Sequence, residues 1–156
     1  MENKDLNNNW LIASEVELIY KSTVKASQRP QITSSCSAYQ IALKAWDSNK
    51  IELLEQFKVL MLSSSNKVLG VLEASSGGIT GTIVDLRIIF CAILKANAVG
   101  FLVVHNHPSG KLVPSEVDRQ ITRKIKEASK ILDIAFLDHL IISKEGYYSF
   151  ADEGIL

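Results

Sequence analysis

A short, wholly apolar run that leads straight into a histidine loop is the feature that most constrains this chain. Residues 101–104, Phe-Leu-Val-Val, are typical of a central β-strand that is buried on both faces. The polar residues 105–110 follow directly, and Pro108 and Gly110 then turn the chain. We therefore predict a β-sheet with this strand in its interior and a polar loop at the end of the strand.

Apolar patterns elsewhere predict further strands and three helices. The predicted strands span 16–20, 57–62, 67–74, 101–104, 135–143 and 147–150, and the predicted helices span 36–48, about 84–98 and 115–132. Ser35 is the expected N-cap of the first helix. Strands and helices do not alternate as a regular βα repeat, so we predict an α+β fold, layered α-β-α, with a mixed central sheet flanked by helices.

The spacing of apolar residues also predicts which helix faces point inward. For the second helix these are Val84, Ile88, Cys91, Leu94 and Ala98, and for the third Val117, Ile121, Ile125, Ala128 and Leu132. Basic residues are predicted on the outer face of the third helix, at Arg119, Arg123, Lys124, Lys126 and Lys130. We expect Cys36 and Cys91 to pack as small apolar groups.

Composition limits the class of protein. The 156 residues suit one domain, which we predict at 15–156 after a flexible leader at 1–14. The 17 basic and 17 acidic residues balance, which argues against a surface built entirely for nucleic acid. Two cysteines favour a reducing compartment. The N-terminus lacks the pattern of a signal peptide, and the apolar stretch 88–94 is too short to span a membrane, so we expect a cytoplasmic protein without membrane contact.

The histidine loop carries the residues with metal-binding chemistry. His105 and His107 are two apart on an extended backbone, so both imidazoles point to the same side. Asp118 lies in the first turn of the helix that begins at Ser115, near the level of the loop. Two imidazoles and a carboxylate leave a fourth position open, which is typical of a catalytic zinc site. Such a site also needs a general base for water.

Simpler explanations exist for the same residues. Ser115 followed by acidic residues is also an ordinary helix start, with serine as N-cap and acids favoured by the helix dipole. An isolated His-x-His also occurs by chance. The joint pattern is more specific, and a capping role for Ser115 does not exclude a catalytic one. We expect His139, inside an apolar strand, to be a structural or supporting histidine rather than a fourth ligand.

The spacing His105-x-His107-Pro108 with Ser115 and Asp118 resembles the JAMM motif of the JAB/MPN metalloprotease superfamily. More closely, the chain resembles the RadC-like branch of bacterial JAB domains over about residues 15–156. The matching segments are 55–60, 81–87, 97–98, 105–110, 114–118, 138–142 and 148–150. The resemblance implies the JAB/MPN architecture, which is similar to that of cytidine deaminases.

The resemblance also implies a role for individual residues. His105, His107 and Asp118 match the family's zinc ligands, Glu55 matches the glutamate that activates water, and Ser115 matches the serine that supports the oxyanion. From the residues alone, Glu55 could not be chosen over Glu52 or Glu73. The family usually continues the loop with an acidic residue and a proline, where this chain has Lys-Leu-Val at 111–113.

Two functions follow as hypotheses. The first is a zinc-dependent hydrolase that cleaves an amide bond in a peptide or a ubiquitin-like conjugate. The alternative is an accessory domain associated with DNA repair, with a structural or vestigial metal site, for which the basic helix is the support here. We expect the helix-hairpin-helix module of longer RadC-like proteins to be absent from a chain of this length. A metal-free interaction module is disfavoured because every motif residue is present.

Overall fold

Two strands that are buried along their whole length form the interior of a five-stranded sheet. The computed structural model describes residues 22–78 and 82–156. In chain order the elements are α1 (Ser35–Lys44), β1 (Gln56–Leu62), β2 (Val68–Ser76), α2 (Leu86–Lys95), β3 (Gly100–Asn106), α3 (Glu116–Ile131), β4 (Ala135–Ile142) and β5 (Tyr147–Ser149). The predicted strand at 16–20 lies outside the described residues.

The sheet is mixed, with the strand order β2-β1-β3-β4-β5. Strand β3 pairs antiparallel with β1 and parallel with β4, and α3 connects β3 to β4. A crossover of this kind carries a helix over one face of the sheet. The predicted α+β fold with a mixed central sheet is confirmed.

Helices cover both faces of the sheet and divide the core into two layers. Helix α1 packs on one face, where Ala38 and Ala42 meet the side chains of Leu60, Leu102 and Leu140. Helices α2 and α3 pack on the other face, against a second cluster that contains Phe57, Val59, Met61, Phe101 and Val103. Alternate side chains of β3 therefore point to opposite layers, and its odd-numbered residues face α2 and α3.

Helix α3 presents the predicted face to the sheet only in part. Ile125 is fully buried as expected, and Ile121 and Ala128 pack against the same core cluster. Val117 and Leu132, however, are exposed, and the buried positions include Asp118, Thr122 and Ser129. The prediction failed there because it assigned only apolar residues to the inner face, whereas polar side chains at the start of α3 are turned toward the end of β3.

Helix α2 is rotated relative to the prediction. Its buried residues are Ile89, Phe90 and Ile93, while Ile88, Cys91 and Leu94 are exposed. Val84 and Ala98 lie outside the ten-residue helix. Residues 88–94 are all apolar, so several stripes can be drawn along them and spacing alone does not select one.

Two smaller expectations were also wrong. Cys36, like Cys91, is exposed, so neither thiol packs in the core. The N-cap of α1 is Ser34 rather than Ser35, because Ser34 and Ser37 form a reciprocal pair of side-chain to backbone hydrogen bonds. Among residues 22–78 and 82–156, no helix has the length and apolar character that crossing a membrane requires.

The placement of α3 predicts that truncating two isoleucines of this helix will have different effects on stability. Ile125 is 0% exposed and Ile131 is 85% exposed. We expect Ile125→Ala to lower the free energy of unfolding by about 2–5 kcal/mol, because it leaves a cavity in the core. Ile131→Ala should change it by less than about 0.5 kcal/mol. Urea denaturation followed by circular dichroism measures both, and equal losses would contradict the placement of α3.

Candidate metal centre

The end of β3 positions both histidines of the loop. His105 is opposite Phe57 of β1, on the face of the sheet that α3 covers. His107 follows the strand, and its backbone N–H donates to the carbonyl of Ile142 at the end of β4, 3.2 Å away. The loop is therefore tied to both neighbouring strands, and the two imidazole rings lie with centroids 4.8 Å apart.

The first turn of α3 brings in the carboxylate. Ser115 is the N-cap, and its hydroxyl oxygen accepts from the backbone N–H of Asp118. In return, Asp118 Oδ2 accepts from the Ser115 N–H at 2.6 Å and from its hydroxyl at 2.7 Å. These bonds hold Oδ2 and leave Oδ1 directed at His105 Nε2, 3.1 Å away.

Three candidate ligands thus converge. His105, His107 and Asp118 each offer one ligand atom, and these atoms lie within 4.8 Å of one another. His105 Nε2 is 3.0 Å from His107 Nε2, which is 3.5 Å from Asp118 Oδ2. The cluster could hold a metal ion, and all three residues are those predicted from the sequence.

A backbone carbonyl group determines which ring nitrogen of His107 carries the proton. His107 Nδ1 lies 2.7 Å from the backbone oxygen of Lys111, which only accepts, so Nδ1 carries the hydrogen. In the neutral ring Nε2 then carries the lone pair that a metal ion would take, and in the protonated ring the same nitrogen donates to Asp118. The bond is made by the backbone of Lys111. The departure of residues 111–113 from the acidic residue and proline usual in the family therefore does not remove it. Two imidazoles and a carboxylate with an open fourth position fit zinc.

The electrostatics of the cluster favour a cation. Burial raises the pKa of Asp118, but the neighbouring imidazoles of His105 and His107 and the hydrogen bonds from Ser115 outweigh it and hold that pKa far below the usual range. The hydrogen bond to Asp118 raises the pKa of His107, burial opposes this, and the charge of Glu55 adds a smaller increase. A carboxylate that stays ionised beside these imidazoles attracts a proton or a metal ion.

Glu55 lies next to the cluster at the start of β1. Its backbone N–H donates to the carbonyl of Gly78 and its own carbonyl accepts from Gly77. Its side chain lines the same cleft as His105 and Asp118, and within the described part of the chain it forms no ion pair or side-chain hydrogen bond.

The two other glutamates considered from the sequence lie elsewhere. Glu52 forms an ion pair with Lys144 on the surface, and Glu73 accepts from Gln56 and pairs with Lys58. Of these three glutamates, the structure brings only Glu55 to the cleft, a distinction that the sequence pattern did not make.

Cavities open on two sides of the cluster. A cleft of about 260 Å³ contains Glu55, His105 and Asp118 and continues between the segment 82–84 and the first turns of α3. A second cavity, of about 230 Å³, lies on the side of His107. The cluster therefore sits between two spaces that are open to ligands.

Sequence reasoning missed Asn106, the residue between the two histidines. Its side chain is fully buried, donates to the carbonyls of Ile51 and Leu54, and accepts from the N–H of Gln56. These bonds fix the backbone on both sides of Glu55 to the end of β3. The sequence offered one signal for this role, which was a polar residue at the end of a strand predicted to be buried. The partners of Asn106 lie about 50 residues earlier in the chain, however, and no local sequence pattern marks them.

Comparison with known proteins identifies a family. The model of the RadC-like JAB domain family matches residues 32–155. A UPF0758 protein of Flavobacterium johnsoniae is 56% identical over 101 residues, which cover 65% of this chain and 44% of that protein. UPF0758 proteins of Syntrophotalea carbinolica and Thermotoga maritima are each 41% identical over 102 residues, 65% of this chain and 45% and 46% of theirs.

The matched region spans less than half the length of these curated relatives. The family model nevertheless matches most of the chain, from Ile32 to Ile155. By its sequence and by its fold, this chain belongs to the RadC-like JAB domain family.

Proposed function

We propose that this chain is a zinc-dependent hydrolase that cleaves amide bonds, with His105, His107 and Asp118 as the metal ligands. The observation that carries the proposal is the convergence of two imidazole Nε2 atoms and a carboxylate at a cleft that also contains Glu55. A structural site would be closed by a fourth protein ligand, whereas the set found among residues 22–78 and 82–156 has three.

The proposal assigns a residue to each catalytic step. His105, His107 and Asp118 would hold a zinc ion, which would supply a Lewis acid to polarise the scissile carbonyl and to make water more acidic. Glu55 accepts a proton from the attacking water as the new C–O bond forms. It then delivers that proton to the leaving nitrogen as the C–N bond breaks, so one amide and one water give a carboxylic acid and an amine. The free carboxylate of Glu55 suits this exchange.

Ser115 has two roles in this proposal. Its hydroxyl caps α3 and donates to Asp118 Oδ2. If the hydroxyl turns toward the cleft, the Ser115 N–H still holds Oδ2 at 2.6 Å. The hydroxyl is then available to donate to the oxyanion that develops on the substrate carbonyl.

The substrate class follows from the position of the cluster between two cavities. A chain that extends on both sides of the scissile bond, such as a peptide or the tail of a ubiquitin-like conjugate, can occupy both. Lys124 and Ile121 line the first cavity, while Glu52, Ser109 and Glu145 line the second. The two cavities would therefore present different side chains to the two sides of the substrate.

A nucleic-acid interface has weaker support. Arg123 of the basic helix pairs with Glu116, Lys126 donates to the carbonyl of Leu156, and Lys124 lines the cleft. These contacts engage several of the charges that a phosphate backbone would need. We therefore favour the hydrolase over the DNA-associated alternative.

Glu55→Gln tests the assignment of the general base. We expect the variant to retain zinc and to lose about 10²- to 10⁴-fold in turnover, since an amide cannot accept the proton. Glu73→Gln is the matched control, because that carboxylate pairs with Lys58 and lines neither of the two cavities. Hydrolysis of a library of quenched peptides and lysine isopeptides by the zinc-loaded protein provides the rate.

Two outcomes would contradict the proposal. Full turnover in Glu55→Gln would remove Glu55 as the base. Absence of hydrolysis by the zinc-loaded parent protein across the whole library would remove the amide hydrolase itself.

Ser115→Ala separates capping from catalysis. We expect loss of the cap to cost about 0.5–2 kcal/mol of unfolding free energy. Turnover should also fall about 10²- to 10³-fold if the hydroxyl stabilises the oxyanion. Ser34→Ala removes the corresponding cap of α1, away from the cluster, and should lower stability without changing turnover. If Ser115→Ala loses stability alone, the serine is only a cap.

A further inference from the structure

We propose that His139 and Thr122 are positioning residues, which hold the proton of His105 on Nδ1 and so keep its Nε2 free for a metal ion. The inference deepens the proposed function and depends on the metal centre described above. It rests on a chain of hydrogen bonds that joins α3, β4 and β3 beneath the candidate ligands.

The direction of the chain is set at Thr122, whose hydroxyl has a single hydrogen. Thr122 Oγ1 lies 2.6 Å from the backbone carbonyl of Asp118, which only accepts, so the hydroxyl donates there. The same oxygen lies 2.7 Å from His139 Nδ1. With its hydrogen engaged, it accepts from that nitrogen, and His139 therefore carries a proton on Nδ1.

The hydrogen bond between His139 and His105 then determines which ring nitrogen of His105 carries the proton. A neutral imidazole has one N–H, so Nε2 of His139 presents a lone pair. This nitrogen lies 2.8 Å from His105 Nδ1, which must donate to it. His105 is thereby left with an unprotonated Nε2, the atom that faces His107 and Asp118. A metal ligand needs this tautomer.

Packing prevents the His139 ring from turning to exchange its two nitrogens. The ring is fully buried and stacks on Phe150, with centroids 4.7 Å apart, while Phe57 contacts it at 5.7 Å. Asp138 accepts from the backbone N–H groups of His139 and Ala151, which fixes the backbone next to the rings of His139 and Phe150. Nε2 of His139, which accepts from His105, is therefore held in a fixed position.

The chain of bonds also returns to its starting residue. It begins at the carbonyl of Asp118 and ends at His105 Nε2, which lies 3.1 Å from the carboxylate of the same Asp118. Thr122 and His139 therefore set the position of one candidate ligand relative to another. A partner that orients a metal-binding histidine in this way typically changes metal affinity about 10- to 100-fold when it is removed.

Thr122→Val tests the inference, because it keeps the shape of the side chain and removes the acceptor for His139 Nδ1. We expect zinc affinity, measured by competition with a chromophoric chelator, to fall about 10- to 100-fold. In the metal-free protein, ¹⁵N shifts of the imidazoles should show His105 protonated on Nδ1 in the parent and a mixture of tautomers in the variant. Thr122→Ser should restore both properties.

Ser129→Ala is the matched control on the same helix. Ser129 is a buried hydroxyl that donates to the carbonyl of Lys126, so its loss should leave zinc affinity and the His105 tautomer unchanged. The inference is overturned if Thr122→Val keeps parental affinity and tautomer, or if His105 of the metal-free parent is protonated on Nε2. The tautomer is read without metal, so failure of the parent to bind zinc would overturn the proposed function separately.

Discussion

The pairing of β3 with its two neighbours is the constraint on which the candidate site depends. The antiparallel register places Phe57 opposite His105, so Glu55, immediately before β1, lies beside the histidine loop. The parallel register places β4 on the other side, with His139 beneath His105. A slip of one residue in either register would turn these side chains to the opposite face of the sheet. Because β3 is buried along its whole length, such a slip would also place polar groups in the α1 layer.

Helix α3 combines the structural and the chemical requirements of the fold. Its inner face buries Ile125 in the core, yet one turn earlier it presents Thr122 and Asp118 to the end of β3. Burial of these polar groups is tolerated because each is hydrogen-bonded, Asp118 through Ser115 and Thr122 through His139. The cost is that Val117 remains exposed beside the cleft. The departure from a simple apolar stripe thus coincides with the site, as is expected where function overrides packing.

Much of the architecture could be predicted from the sequence, and the failures have physical causes. The sequence pattern located all five described strands to within about two residues at each end, because burial selects apolar runs strongly. The predicted inner face of α2 was wrong because consecutive apolar residues define no stripe, and that of α3 was right at Ile125 but lacked the buried polar residues. The motif spacing identified His105, His107 and Asp118, which are close in sequence. Asn106 and the His139–Thr122 contact depend on partners far along the chain, and only the folded register reveals them.

Metal content tests the central claim most directly. The chain is purified without chelator, alongside a His105→Ala/His107→Ala variant, and both are analysed by inductively coupled plasma mass spectrometry after confirmation that they are folded. The convergence of two Nε2 atoms and an ionised carboxylate predicts about one zinc ion per parent chain and none in the variant. A folded parent chain that holds no metal tightly, even after zinc is added back, would contradict the account.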